Sequence, residues 1–225
     1  MWTSVENILD KRKIKKGRKP DPIQNFYEKR DRAFDLLLAA RKSKNRKIIA
    51  EANDHFIIAL VTAFEVYMAD LLSELIAKNK LEPSEVNIQI RDFRFKDVAS
   101  MVKNRITLGE LYCNVINFDN FKDLSQLLNG LFGVTFFDYI KGNKFKYRTT
   151  RRSYVTIEFY RDFEARLKNI FEARHKIVHD ISFRKTPTKP QLINMYGVMT
   201  QFVHAIEVMA DKFRHIRDCE IIGRD

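Results

Sequence analysis

The chain has 225 residues, of which 45% are hydrophobic and 18 are Phe, so it can bury one sizeable core, or one core with a smaller appendage. No apolar run approaches the roughly 18 residues of a membrane span, and no apolar block follows the charged N-terminus, so we expect a soluble, cytoplasmic protein without a signal peptide. Cys113 and Cys219 are the two cysteines and lie far apart, which favours free thiols over a disulfide scaffold or a metal cluster.

The net charge of +12 is unevenly distributed, because residues 1–50 hold 15 Lys and Arg against 6 Asp and Glu. A basic run over residues 11–19 repels itself and has little to bury, so residues 1–22 are predicted to form a flexible arm. A polyanion such as RNA or DNA would be attracted to this arm through counterion release. A solubilising tail, or a segment that binds an acidic protein, are the alternatives.

Two helices are predicted next in the chain. Apolar residues recur every three or four positions from Ile23 to Arg41 and from Ile48 to Asn79, as they do in helices with a buried stripe. Only a short polar turn, Ser43 to Arg46, separates the two segments. Helices joined by so short a turn are expected to be antiparallel neighbours in a bundle.

The middle segment, residues 81–153, has a less regular pattern. Val86 to Phe95 alternates apolar and polar residues, which predicts a short strand or an extended loop. Three short helices are predicted after it, at Phe95 to Arg105, Leu108 to Ile116 and Phe121 to Phe132. We therefore expect the middle segment to be an insertion of short helices and loops.

A basic stretch closes the middle segment, since Lys141 to Arg152 has six basic residues, no acid, and the aromatic residues Phe145 and Tyr147. Positive charges can bind phosphates and aromatic rings can stack on bases, so this stretch is predicted to be a loop that contacts single-stranded RNA. A solvated surface loop is the alternative. The predicted RNA-binding residues are Lys141, Lys144, Lys146, Tyr147, Arg148, Arg151 and Arg152.

Two further helices are predicted in the last third, from Ile157 to Asp180 and from Gln191 to Ile216, with the proline-containing segment Ser182 to Pro190 between them. On the first of these helices, Arg174 falls along the apolar stripe. A charge at such a position is costly unless it is paired or functional. The resulting fold class is all-α, an antiparallel helical bundle with the inserted middle segment.

The end of that helix, Arg174-His175-Lys176-Ile177-Val178-His179-Asp180, combines groups that a phosphodiester-cleaving site needs. Arginine keeps its charge and can hold a phosphate, while histidine can give or take a proton near neutral pH. The apolar pair Ile177 and Val178 offers the helix a face to bury. Asp180 opposes the helix dipole, which indicates either a local partner or an ordinary helix-end residue.

The residues from Arg174 to His179 resemble the Arg-x4-His motif of HEPN-domain proteins, in which a polar residue commonly follows the arginine. Residues 63–71 on the long earlier helix are similar to a stretch in HEPN subfamilies of prokaryotic defence. The resemblance covers about residues 25–80 and 155–217, and it gives a HEPN-like domain over residues 23–225.

The resemblance implies a metal-independent endoribonuclease that acts as a homodimer, often as a toxin or an anti-phage effector, with a possible antitoxin or defence-complex partner. It assigns general acid/base catalysis to His179 and phosphate binding to Arg174, and the RNA 2′-hydroxyl is the nucleophile. His175, Glu65 and Asp180 are supporting candidates. Glu65 is a candidate partner for Arg174, and an ordinary solvated or ion-paired glutamate is the alternative. No cofactor, no metal and no membrane partner is expected.

Other interpretations remain open at this point. The runner-up is a catalytically silent HEPN-like subunit that binds RNA or dimerises, in which Arg174 and His179 form a structural polar pair. The four-residue spacing of His175 and His179 also fits two ligands of a metal, although no third ligand is evident. A DNA-binding regulator rests on the basic arm alone, and nucleotide transfer would need a Gly-rich phosphate loop, which the seven scattered glycines do not offer. His55, His204 and His215 are predicted to be surface or packing residues.

Overall fold

The computed structural model describes residues 8–10, 21–77, 95–106, 110, 118, 120–148, 154–180, 187–214 and 220–223. Its helices are α1 (Pro22–Ala40), α2 (Arg46–Ala77), α3 (Phe95–Lys103), α4 (Phe121–Phe132), α5 (Phe136–Gly142), α6 (Phe163–His179) and α7 (Lys189–Arg214). Three short strands, β1 (Asn143–Arg148), β2 (Tyr154–Ile157) and β3 (Glu220–Gly223), form one sheet. The predicted all-α, HEPN-like bundle is confirmed, with a small sheet added to it.

Polar side chains cap the starts of the first two helices, α1 and α2. The Asp21 carboxylate accepts a hydrogen bond from the Ile23 amide at 3.0 Å, and Pro22 occupies the first turn of α1. The Asn45 side chain accepts one from the Lys47 amide at 2.9 Å and so caps α2. Both predicted helices are therefore confirmed: α1 is displaced by one residue at each end and α2 begins two residues earlier than predicted, while residues 78–79 lie outside the described residues.

Four long helices, α1, α2, α6 and α7, form the bundle. The predicted antiparallel arrangement of α1 and α2 is confirmed, because Phe26 packs against Tyr67 near one end and Phe34 against Phe56 towards the other. Helix α7 also runs antiparallel to α1. Of the basic arm predicted at residues 1–22, the described part comprises residues 8–10, which are helical, and the start of α1; residues 11–20 lie outside the described residues.

The core is built on α2 and on a cluster of phenylalanine rings. The Phe202 ring of α7 lies 5.1 Å from that of Phe64 and 6.0 Å from that of Phe137, and all three side chains are buried. By length and composition α2 could also cross a membrane, which differs from the expectation that no segment is long enough. Most of its apolar window is buried inside the bundle, as in a core helix.

The structure of the middle segment agrees in part with the elements predicted from the sequence. Helix α4 has the predicted bounds, because Asn120 caps its start through the Lys122 amide at 3.0 Å and Gly133 ends it with a positive φ of 65°. Helix α3 is confirmed, whereas α5 was not predicted. The strand or extended loop predicted at Val86 to Phe95 lies outside the described residues except for its last residue, and so does the helix predicted at Leu108 to Ile116 except for Glu110.

The prediction of a loop over Lys141 to Arg152 is wrong for its described residues, since residues 141–142 end helix α5 and residues 143–148 are strand β1; residues 149–152 lie outside the described residues. This strand is central in the sheet and pairs antiparallel with β2, Phe145 opposite Ile157, and with β3, Lys146 opposite Glu220. The Phe145 side chain is fully buried and its ring contacts Phe159 at 5.6 Å. It therefore belongs to the core and is not available to stack on bases.

The helix that carries the motif begins later than predicted, at Phe163 and not at Ile157. Residues 154–157 are Tyr, Val, Thr and Ile, which favour strands, and they pair with β1. Phe159 is buried, but it precedes the helix and packs on Phe163 with ring centres 4.6 Å apart. The helix therefore has 17 residues, and the motif occupies its last two turns.

Candidate active site

Arg174 on α6 faces Glu65 on α2. Nη2 of Arg174 lies 3.7 Å from Oε1 of Glu65, and the two side chains are 17% and 25% exposed. The helical spacing explains this position, because Arg174 follows the buried residues Ile170 and Phe171 by about one turn and so lies at the edge of the packed face. The partner predicted for Arg174 from the sequence is thus within ion-pair distance of it.

His175 and His179 lie on the outer side of the same helix. Their ring centres are 4.6 Å apart, as the four-residue spacing allows, and both side chains are exposed. His179 is the last residue of α6, and the backbone amide of Asp180 closes the helix by donating to the Lys176 carbonyl at 2.8 Å. The imidazoles therefore face solvent, next to an arginine that is mostly buried.

The apolar pair beside the motif is only half buried. Ile177 packs against the core, whereas Val178 is 45% exposed. The expectation that α6 would bury both residues is wrong for Val178, although Val178 follows Arg174 by four residues and so lies on the same side of the helix, one turn closer to its end. An exposed valine consequently borders the two histidines.

This arrangement combines a fixed positive charge with two accessible proton carriers. Arg174 is charged at any working pH and its carboxylate partner limits its movement, while the exposed imidazoles can exchange protons with a bound molecule. Within the described residues, no group of three or more His, Cys, Asp or Glu side chains could hold a metal ion. The side chains of Arg174, His175 and His179 can bind a phosphate and transfer protons.

The basic stretch predicted to bind RNA has two lysines that are already paired. Lys141 lies 3.0 Å from Asp138 and 3.4 Å from Glu164, and the hydrogen bond to Asp138 raises the pKa of Lys141. Lys144 lies 2.7 Å from Glu158. Lys146 is half-buried on β1, and the backbones of Tyr147 and Arg148 are in the same strand; Arg151 and Arg152 lie outside the described residues.

A polar network between α1 and α7 was not predicted from the sequence. Arg30 is 8% exposed and donates to Asp31 at 2.8 Å and to Thr200 at 2.8 Å, and its guanidinium lies over the ring of Tyr196, 4.4 Å from the centre. The Tyr196 hydroxyl donates to Asp31 at 2.6 Å. These residues line a shallow groove of about 1030 Å³. The sequence did contain one indication of this network: Arg30 lies one helical turn from both Phe26 and Phe34, on the apolar side of α1.

Burial and hydrogen bonding in that network shift two pKa values. Burial and the hydrogen bond to Asp31 raise the pKa of Tyr196 to about 12. His204 is hydrogen-bonded to the Tyr27 hydroxyl, and burial together with the nearby Arg30 charge lowers its pKa to about 4. His204 is thus a packing residue, as predicted, whereas His55 is exposed and His215 lies outside the described residues.

A helical bundle with an Arg-x4-His motif at the end of its third long helix defines the class of HEPN-domain proteins. The sequence model of one such family, RiboL-PSP-HEPN, matches residues 25–210, which is most of the chain. The chain therefore belongs to the RiboL-PSP-HEPN family, and the HEPN resemblance is confirmed. No curated protein and no solved structure matches it. Family membership supports a nuclease or other RNA-related function in general.

Proposed function

We propose that this protein is a metal-independent endoribonuclease whose site is formed by Arg174 and His179, and that it serves as a toxin or an anti-phage effector. The observation that carries the proposal is the geometry of α6. Nη2 of Arg174 lies 3.7 Å from Oε1 of Glu65, and His175 and His179, one and five residues further along the helix, are exposed to solvent. RNA transesterification requires, as a minimum, a positively charged side chain that binds the phosphate and accessible imidazoles that transfer protons.

The reaction needs no nucleophile from the protein, because RNA carries its own 2′-hydroxyl. His179 removes the proton from that hydroxyl, the 2′-oxygen forms a bond to phosphorus, and the bond from phosphorus to the 5′-oxygen breaks. An imidazolium returns a proton to the departing 5′-oxygen, and Arg174 offsets the negative charge on the phosphoryl oxygens. The products are a 2′,3′-cyclic phosphate and a 5′-hydroxyl end. His175 and Asp180 support this site from either side of His179.

A homodimer would complete the site. Arg174 and His179 are five residues apart, which on a helix is about 140° of rotation, so one copy of α6 does not direct both side chains to one point. Two copies related by a two-fold axis bring identical surfaces together, so that Arg174 of one protomer can face a bound RNA alongside His179 of its partner. The exposed Val178 lies beside the histidines, where such a contact would bury it.

The test is cleavage of a mixed RNA pool in EDTA by the wild type and by His179→Ala. We expect fragments that end in a cyclic phosphate from the wild type alone, with RNA affinity retained in the variant. His55→Ala is the matched control, because His55 is an exposed histidine on α2 and should leave cleavage unchanged. Equal fragments from wild type and His179→Ala would refute the assignment.

The second candidate is a silent HEPN-like subunit that binds RNA or dimerises. The observation that favours it is the same ion pair, since an arginine held by a carboxylate also has a purely structural explanation. A subunit of this kind would bind RNA and leave it intact under every condition. Intact RNA with the wild type, combined with measurable binding, would select this function over the nuclease.

A further inference from the structure

The turn between α1 and α2 carries a dense group of positive charges. Five of the seven residues from 41 to 47 are basic and none is acidic. We call this group the basic turn, and its members are Arg41, Lys42, Lys44, Arg46 and Lys47. All of them are exposed except Arg41, which is half-buried. This turn lies at one end of the helical bundle, outside the motif on α6.

The basic turn has little compensation from acidic side chains. Within the described residues, its one ion pair joins Lys47 to Glu51 at 4.0 Å, and both of those side chains are well exposed. The lysines of the stretch around β1 differ, because Lys141 and Lys144 each have a carboxylate within 3.0 Å. An incoming anion would have to displace those carboxylates, whereas most charges of the basic turn are open to it.

The basic turn is also held in place. The Asn45 amide donates to the Ser43 hydroxyl at 3.1 Å, which shapes the turn ahead of the Asn45 cap on α2. Arg41 donates to the side chain of Asn53 at 2.9 Å, and Asn53, which is 1% exposed, donates to the Pro187 carbonyl at 3.3 Å. These bonds connect the turn to the start of α7, where Lys189 adds a sixth, exposed positive charge. A charged surface that is ordered in advance loses less entropy on binding.

We propose that this end of the bundle, the basic turn together with Lys189, binds the phosphate backbone of single-stranded RNA and guides the strand to the motif on α6. The inference rests on the proposed function for the identity of the ligand. Helix α2 connects the two places: from Arg46 to Glu65 is about 28 Å at 1.5 Å per residue, a distance that several nucleotides of an RNA strand can span. Binding through phosphates gives affinity and register without sequence preference.

The experiment compares two triple variants of equal charge, both in the His179→Ala background so that RNA stays intact. One is Lys42→Gln/Lys44→Gln/Lys47→Gln. The other, the matched control, is Lys29→Gln/Lys103→Gln/Lys122→Gln, which removes three exposed lysines elsewhere. Fluorescence anisotropy with labelled single-stranded RNA measures affinity over a range of salt concentrations, and the unfolding temperature checks that both variants fold.

We expect the basic-turn variant to bind RNA on the order of ten-fold more weakly, and its plot of log affinity against log salt to lose a slope of about 2, since each single-strand phosphate contact contributes about 0.7. The control should retain nearly the parental affinity and slope. Equal losses in both variants, or no loss in either, would overturn the inference.

The outcome is independent of whether the protein cleaves RNA. If the wild type leaves RNA intact but the basic-turn variant alone loses binding, the nuclease proposal fails and the RNA surface stands. If the wild type cleaves RNA and the basic-turn variant binds as tightly as its parent, the nuclease stands and this inference fails.

Discussion

Oε1 of Glu65 lies 3.7 Å from Nη2 of Arg174, which brings a carboxylate of α2 to a guanidinium of α6 at the edge of the core. The two residues are 109 positions apart in the chain, so this contact exists only once the bundle has formed. The packing of α2 against α6 therefore sets the position of Arg174, the arginine of the motif. Packing of α2 against α6 and the chemistry of the motif are coupled through this pair.

Replacing Glu65 with Gln should lower the rate of RNA cleavage. The isosteric amide keeps the volume of the side chain but removes the negative charge that restrains Arg174. Displacing this phosphate-binding arginine can lower the rate about a hundred-fold. We expect a loss of about ten-fold to a hundred-fold in kcat with a smaller change in KM, measured by steady-state cleavage of a labelled RNA. Glu172→Gln is the control, because Glu172 is an exposed acid on α6 that pairs with Lys168 at 3.8 Å. Unchanged kcat in Glu65→Gln would mean that Arg174 does not depend on this carboxylate.

Acid should destabilise the protein through His204. Its folded-state pKa of about 4 lies below the ordinary value of 6.5, so the unfolded chain binds this proton more readily. The stabilising contribution is full above pH 6.5 and is lost as the pH falls towards 4, by about 3 kcal/mol at most. Urea unfolding at a series of pH values measures it. His204→Gln, which cannot titrate, should remove this component of the slope; an identical pH dependence in that variant would contradict the prediction.

Truncating Phe202 should cost much of the stability of the bundle. Its buried ring contacts the rings of Phe64, Phe136, Phe137 and Phe163, so Phe202→Ala leaves a cavity among side chains from several helices. We expect the free energy of unfolding to fall by about 3–5 kcal/mol. Ile193→Ala on the same helix is the comparison, because Ile193 is 46% exposed and its loss should cost clearly less. Equal losses would show that the core does not centre on Phe202.

Two glycines should respond to alanine in opposite directions. Gly133 ends α4 with a φ of 65°, where a β-carbon is strained, so Gly133→Ala should destabilise by about 1–2 kcal/mol. Gly197 lies inside α7 and has open space where the methyl group of an alanine would lie, so Gly197→Ala should stabilise by up to about 1 kcal/mol. Thermal and chemical unfolding of both variants tests the pair. A change of the same sign in both would contradict the assigned roles.

The sequence was most informative where the apolar period was long. The apolar stripes of α1 and α2 are local features, and the helices predicted from them match the structure. The start of α6 was missed because Phe159 and Phe163 are four residues apart and imitate a helical stripe, although Phe159 packs from an extended segment. The spacing of apolar residues alone does not distinguish a helix from an extended segment that precedes one. The strand-forming residues 154–157, which come just before Phe159, do distinguish them.

The sheet could not be derived from local pattern, because β1 is short and rich in lysine and one of its two partners lies far along the chain. The motif residues of the candidate site were identified from the sequence, and so was Glu65 as a partner for Arg174. The sequence did not provide the ion pairs of Lys141 with Glu164 and of Lys144 with Glu158, in which the acid lies outside the helix or strand of the lysine. Nor did it provide the partners of Arg30 in its network, in which the contacts come from two helices about 170 residues apart.

The order of the strands in the sheet has a consequence for how the chain folds. Strands β1 and β2 are close in sequence, with Arg148 paired to Tyr154, so closing this hairpin restricts only a few residues. The pairing of Lys146 with Glu220 encloses both α6 and α7 in its loop. Loop closure of that length is entropically costlier and slower, so β3 should join the sheet only after α6 and α7 have packed. The third strand would then report, in a refolding experiment, the completion of the bundle that carries the motif.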